Sequence, residues 1–410
     1  MCGAGPLPSL ESVIKTESVL ETSRRTVAIL VALVALAACG SAPTVEQPTS
    51  DTESAPRLPA PTGHFTVGRT VHHLVDASRR APWTPERDRE LMVSVYYPAQ
   101  PGTGTPAPYA TPGEAELLLR REGAPADPEA ARLLGATRTN SAADATPVDG
   151  SHPLVVLSPG FGAPRYTLTT LAEDLASHGY VVAAVDHVNE ASGTELPDGR
   201  IATCLVCETV DTPGTLDTLT AARAADVSFL LDRLAATAPS WPPARYVDAS
   251  RIGMAGHSIG GAAAAAAMAR DPRVRAGANM DGAFFGAAPA DGFGDRAFLM
   301  LGTDDETHRP GGADTTWDAM WAALHGWKRW LTVTGSDHFT FSDSPVLVEQ
   351  LGGGADLLGL PTTSTLSGPR AVELTRAYVR AFFDRHLLGV AQPLLDGPHP
   401  ACPEVRFQHT

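Results

Sequence analysis

Apolar and polar positions fall into two regimes along this chain. Over residues 65–75 and 91–97 they alternate, the period of half-buried antiparallel strands. From residue 153 onward the apolar positions come in short runs, unbroken or nearly so at 153–158, 180–185, 252–255 and 297–302 and interrupted by a polar residue or two at 274–280 and 330–333. Runs this short and continuous predict strands buried on both faces. Helical patterns lie between or after them, over 166–178, 219–236, 261–270, 315–324 and 371–388. Buried strands alternating with helices predict the α/β class, a mostly parallel central sheet with helices on both faces. In such sheets the loops leaving the carboxyl ends of the strands build the site. Ser158, Asp281, Asp304 and His338 all follow predicted strand ends, on the edge shared with Ser258.

Two stretches break the pattern. Residues 101–150 are rich in Pro, Gly and Ala, with amphipathic segments at 114–121 and 128–134. An insertion of this kind reads as a lid or rim over a site, or equally as a surface excursion. Residues 188–215 form a polar loop that carries Cys204 and Cys207.

The amino terminus changes the picture of where the chain resides. Arg24-Arg25 precede an apolar run at 27–38, too short to span a bilayer but suited to a signal peptide. The run ends in Leu36-Ala37-Ala38-Cys39-Gly40-Ser41, which resembles a bacterial lipobox with Cys39 as the lipidated residue. Residues 1–38 are therefore expected to be a signal peptide and 39–62 a flexible tether, rich in Ser, Thr, Pro and Glu. A catalytic domain over 63–395 and a tail at 396–410 complete the expected organisation. The chain is expected to be exported and held on the outer face of a bacterial membrane by the lipid. In an exported chain Cys204 and Cys207 read as a local disulfide, leaving Cys402 over.

The 410 residues are 43% apolar, enough for a sizeable core, and carry a net charge of −15. That charge makes nucleic acid a poor partner. No obligate protein partner is evident.

Candidate chemistry centres on Gly256-His257-Ser258-Ile259-Gly260. A buried strand runs into it and a small-residue helix leaves it at once. Strand, tight turn and helix with a serine at the apex make a nucleophile elbow. A serine hydroxyl needs a neutral imidazole to accept its proton and a carboxylate to orient that imidazole. His338, after the last buried strand, is the candidate base. Asp281 is one candidate acid; Asp304 and Asp305, one strand later, are the alternatives. The N–H groups of Ile259 and Phe161, the latter in a Gly-rich loop after the first buried strand, are expected to form the oxyanion hole. His257 is expected to shape the pocket. His308, in a polar loop, and His325, read as helical, are expected to be solvated.

These residues resemble the platelet-activating factor acetylhydrolase family, plasma and type II branch. The resemblance is carried by residues 154–163, 174–184 and 256–262, by Met280-Asp281 and by Gly335-Ser336-Asp337-His338. It implies an α/β-hydrolase fold, no cofactor or metal, and cleavage of short-acyl or phospholipid-like esters. It also implies Asp281 as the acid and Phe161 as the second oxyanion donor. Ser158-Pro159-Gly160-Phe161 departs from the family's His-Gly and is similar to bacterial cutinases and polyester hydrolases, which implies Asp304 or Asp305 and a polymer or triglyceride substrate. A lipoprotein that binds an apolar ligand without turnover is the reading from another class.

Overall fold

The computed structural model describes residues 55–121, 127–234, 242–286, 288–351 and 363–409. The expected signal peptide, Cys39 and residues 39–54 lie outside the described residues.

A long antiparallel hairpin opens the body, β1 (Thr66–Ala81) and β2 (Thr84–Ala99). Residues 101–150 contribute β3 (Thr105–Pro108), α1 (Pro112–Arg121), α2 (Pro128–Gly135) and β4 (Arg138–Ala143). The alternating strands and helices follow: β5 (His152–Ser158), α3 (Thr169–Ser177), β6 (Val181–His187), the small strands β7 (Gly193–Glu195) and β8 (Ile201–Thr203), and α4 (Thr215–Leu234). Next come β9 (Val247–His257), α5 (Ile259–Arg270), β10 (Val274–Met280), β11 (Gly292–Asp295), β12 (Ala297–Thr303) and α6 (Thr315–Ala323). The chain closes with β13 (Lys328–Val333), α7 (Ser344–Gln350), α8 (Gly368–Leu387) and β14 (Val405–Phe407).

Eleven strands form one sheet in the order β14-β13-β12-β10-β9-β5-β6-β2-β1-β4-β3. The six from β13 to β6 are mutually parallel. Their side chains alternate between two cores: Leu154 and Val156 of β5 face one, Val155 and Leu157 the other. Covering both faces is what the unbroken apolar runs demanded. From β5 the chain turns one way to β6 and then back past β5 to β9. The strand order therefore reverses between β5 and β9, and a crevice opens there at their carboxyl ends.

Several boundaries differ from expectation, each for a packing reason. Residues 55–62 are not tether: Leu58 is fully buried, its N–H donates to the Arg138 carbonyl at 3.0 Å, and the Thr62 N–H donates to Asp174 at 2.8 Å. The insertion 101–150 is neither a loose excursion nor a detached lid. β4 extends the sheet beside β1, and α1 and α2 share a small apolar core. Arg165, buried, pairs with Asp186 and with Glu114 of α1 and ties the insertion to the sheet. The tail is structural as well, since β14 pairs antiparallel with β13. The polar loop 188–215 contains the β7–β8 hairpin, and Cys204 and Cys207 are joined in a disulfide. Cys402 is unpaired and buried. No helix among the described residues is long and apolar enough to cross a membrane.

Candidate active site

Ser258 sits between β9 and α5 with φ 56° and ψ −128°. Non-glycine residues rarely adopt such a positive φ, and the strain is held by the surroundings. The Ser258 N–H donates to the Met280 carbonyl at 2.8 Å. Small neighbours are obligatory: a Cβ on Gly256 would lie 2.1 Å from backbone atoms of Gly260, and one on Gly260 would lie 2.0 Å from the Ser158 carbonyl oxygen.

Asp281, just past β10, is fully enclosed and also takes a positive φ, 60°. Its Oδ2 accepts from His338 Nδ1 at 2.7 Å, and its Oδ1 accepts from the Thr303 N–H at 2.7 Å. Burial alone would raise this carboxyl, but His308, His338 and the Thr303 N–H together hold it below its ordinary value. Because Nδ1 of His338 faces a carboxylate it carries the proton, which leaves Nε2 as the basic nitrogen.

His338 opens a short 3-10 turn, His338–Phe341, capped by Asp337 through the Phe339 N–H. Its own carbonyl accepts from His257 Nε2 at 2.6 Å. Burial, together with the neighbouring His338, depresses His257 to about 3, so it is neutral and serves as a donor. The elbow thus grips the backbone of the histidine that faces it.

Neither alternative acid pairs with His338. Asp304 is engaged by Arg309, Arg406, Thr332 and Thr334. Asp305 accepts from the N–H groups of Thr307 and His308. The polar loop residue His308, expected to be solvated, is instead 7% exposed, with its Nδ1 3.3 Å from Asp281 Oδ1. His325 is exposed but follows α6 rather than lying in it.

Ile259 is the first residue of α5, where N–H groups have no acceptor within the helix. Phe161 belongs to the loop after β5, which is clamped by Gly162, whose N–H donates to Glu190 at 3.1 Å and whose carbonyl accepts from Ser192 at 2.7 Å. Behind that loop lies a buried ionic network absent from the sequence reading. Arg223 of α4 donates to the Pro159 carbonyl at 2.6 Å and to Ser158 Oγ at 3.2 Å. Glu190 holds Arg223 and Arg89, each at 2.8 Å, and Arg89 in turn meets Asp226. His187 bridges Asp226 and Ser158. The legible signal was charge inside apolar elements: Arg223 and Asp226 on one face of a helix, Asp186-His187 ending a buried strand. In front of the network Phe161, Ile259, Leu216, Phe285 and Trp83 form an apolar wall. Among the described residues no group of three His, Cys, Asp or Glu is arranged to hold a metal.

Residues 54–196 match the model of the family described as platelet-activating factor acetylhydrolase, isoform II. A probable 1-alkyl-2-acetylglycerophosphocholine esterase of Arthroderma benhamiae is 32% identical over 389 residues, covering 85% of this chain and 93% of the relative. The chain belongs to the platelet-activating factor acetylhydrolase family. It is a carboxylic ester hydrolase with the α/β-hydrolase architecture of that family. Among solved structures, a ferulic acid esterase from Streptomyces cinnamoneus superposes with a TM-score of 0.77, 42% identity, and coverage of 87% of this chain and 100% of that one.

Proposed function

We propose that this family member is an exported, lipid-anchored serine esterase for short-acyl or phospholipid-like esters, working through Ser258, His338 and Asp281. The observation that carries the reading is the 2.7 Å contact of His338 Nδ1 with the buried Asp281, beside a strained serine elbow. Ser258 Oγ attacks the ester carbonyl and its proton passes to His338 Nε2. The oxyanion is received by the N–H groups of Ile259 and Phe161. Collapse expels the alcohol, which takes the proton back from His338. Water then attacks the acyl-enzyme by the same route and frees Ser258. Asp281 holds the imidazole in the required tautomer throughout.

A second reading, feruloyl esters, is favoured by the 42% identity to an esterase of that name. The apolar wall of Phe161, Phe285 and Trp83 suits an aromatic acyl group as well as a short chain. The test is hydrolysis by the purified chain of p-nitrophenyl acetate, butyrate and palmitate, a 2-acetyl phospholipid and methyl ferulate. Ser258→Ala, Asp281→Ala and Asp305→Ala are assayed alongside. Preference for acetyl substrates, with loss of about 10³-fold or more in Ser258→Ala and Asp281→Ala but not Asp305→Ala, supports the first reading. Preference for ferulate selects the second; loss in Asp305→Ala instead of Asp281→Ala moves the acid to the later strand. Binding without any turnover selects the non-catalytic lipoprotein. Incorporation of labelled palmitate into the parent chain but not into Cys39→Ala tests the anchor.

A further inference from the structure

Asp281 is held by two histidines. His338 takes Oδ2, and His308 approaches Oδ1 at 3.3 Å, on the side of the carboxylate away from the base. His308 leaves the loop after β12 and packs on Trp317 of α6 with ring centroids 4.9 Å apart. Its carbonyl accepts from Trp330 of β13 at 2.8 Å, so backbone and ring are both fixed. Three oxygens surround its Nδ1: Asp281 Oδ1, Thr303 Oγ1 at 3.0 Å and Asp305 Oδ1 at 3.5 Å. A ring nitrogen among two carboxylates and a hydroxyl carries a proton, and two negative charges against one ring favour its doubly protonated, cationic form.

We propose that His308 is a positioning residue for the reaction above: a buried cation on the outer oxygen of Asp281 that limits how tightly this carboxylate can hold a protonated His338. The proposal rests on that reading of Ser258, His338 and Asp281. The charged groups acting on His308 are Asp281 at the end of β10, Asp305 in its own loop and Asp314 at the start of α6. The side chain of Asp314 accepts from Thr316 through Oδ1, while its Oδ2 is buried without a hydrogen-bond partner. The neighbouring cation, Arg309, is engaged by Asp304. Burial opposes charge on His308, but the three carboxylates outweigh it and raise the group to about 9.

The consequence has a definite sign. A carboxylate shared with a second cation favours the charged form of the first imidazole less. The acid limb of activity is then expected at a lower pH than it would have beside an unshared aspartate. Without the cation, Asp281 stabilises a protonated His338 more, and activity fails at higher pH.

The experiment is the pH profile of kcat/KM for the full chain with p-nitrophenyl butyrate, in the parent, His308→Gln and His308→Lys. His308→Gln is expected to move the acid limb up by about half to one pH unit, and His308→Lys, which keeps a cation, to leave it near the parent position. A uniform fall in kcat/KM with no movement of the limb, or a shift to lower pH, overturns the proposal. A parent chain without Ser258-dependent turnover overturns the underlying reading instead. Where His308→Gln does not fold, histidine-labelled parent protein followed by NMR decides: His308 is expected to remain an imidazolium at pH 7.5, and a neutral ring there overturns the assignment.

Discussion

Asp281, His308 and Asp305 form a cluster whose contribution to stability depends on pH in a predictable direction. His308 has its folded value raised to about 9 against an ordinary 6.5. Its share of stability is therefore complete below about 6.5 and lost as pH rises through 9. Asp281 and Asp305 are both held below the ordinary carboxylate value against the opposing effect of burial, the first chiefly by His308 and the second by its hydrogen bond from His308. Their share is present above about 4 and lost as pH falls further. Thermal melting of the parent is expected to be highest between about 4.5 and 6.5 for this cluster, and His308→Gln to flatten the decline between pH 7 and 9.5. An undiminished decline in the variant would place its origin in other groups. The burial of this histidine was hidden in the sequence because Thr307-His308-Arg309 lies in a polar stretch. What buries it is tertiary: Trp317 on one side and two carboxylates from separate strand ends on the other.

At the level of elements, the loop after β5 is fastened to α4 and to the loop after β6 through buried charge rather than through apolar packing alone. Arg223, from the middle of α4, spans Glu190 and the Pro159 carbonyl and so fixes the loop that carries Phe161. Replacing it with Met is expected to lower kcat about 10- to 100-fold with little change in KM, since oxyanion donors act mainly on the transition state. Arg223→Lys is expected to recover only part, because an ammonium cannot reproduce the planar fork. An equal kcat with a lowered melting temperature would reduce Arg223 to a scaffold residue. Most elements were legible in the sequence because burial on both faces leaves an unmistakable apolar run: β12 spans Ala297–Thr303, and the unbroken run predicts 297–302. The strands that went unread, β3, β4, β7, β8, β11 and β14, are short, partly exposed or polar. Their pairing depends on which strand lies beside them, and local pattern does not record that.

On the scale of the whole molecule, the first described residues are bound by α7 and α8. Arg57 exchanges hydrogen bonds with Gln350, and the carbonyls of Pro59 and Ala60 accept from Arg376. A form starting at residue 55 is therefore expected to be more stable than one starting at 63 by a few kcal/mol, read as a higher urea midpoint at equal slope. Equal midpoints would return residues 55–62 to the tether. The sequence placed this boundary at 63 because Pro and Thr there look like linker, and only Leu58 hints at burial.

The two outer strands of the sheet have a further consequence for chains crowded together. One border is β14, three residues long, and the other is β3, four residues of which two are proline. Neither offers enough unpaired N–H and C=O groups in line to recruit a strand from another copy. Under the proposed anchor, chains tethered by the amino terminus at high surface density would meet constantly, and borders this blunt would favour their staying separate.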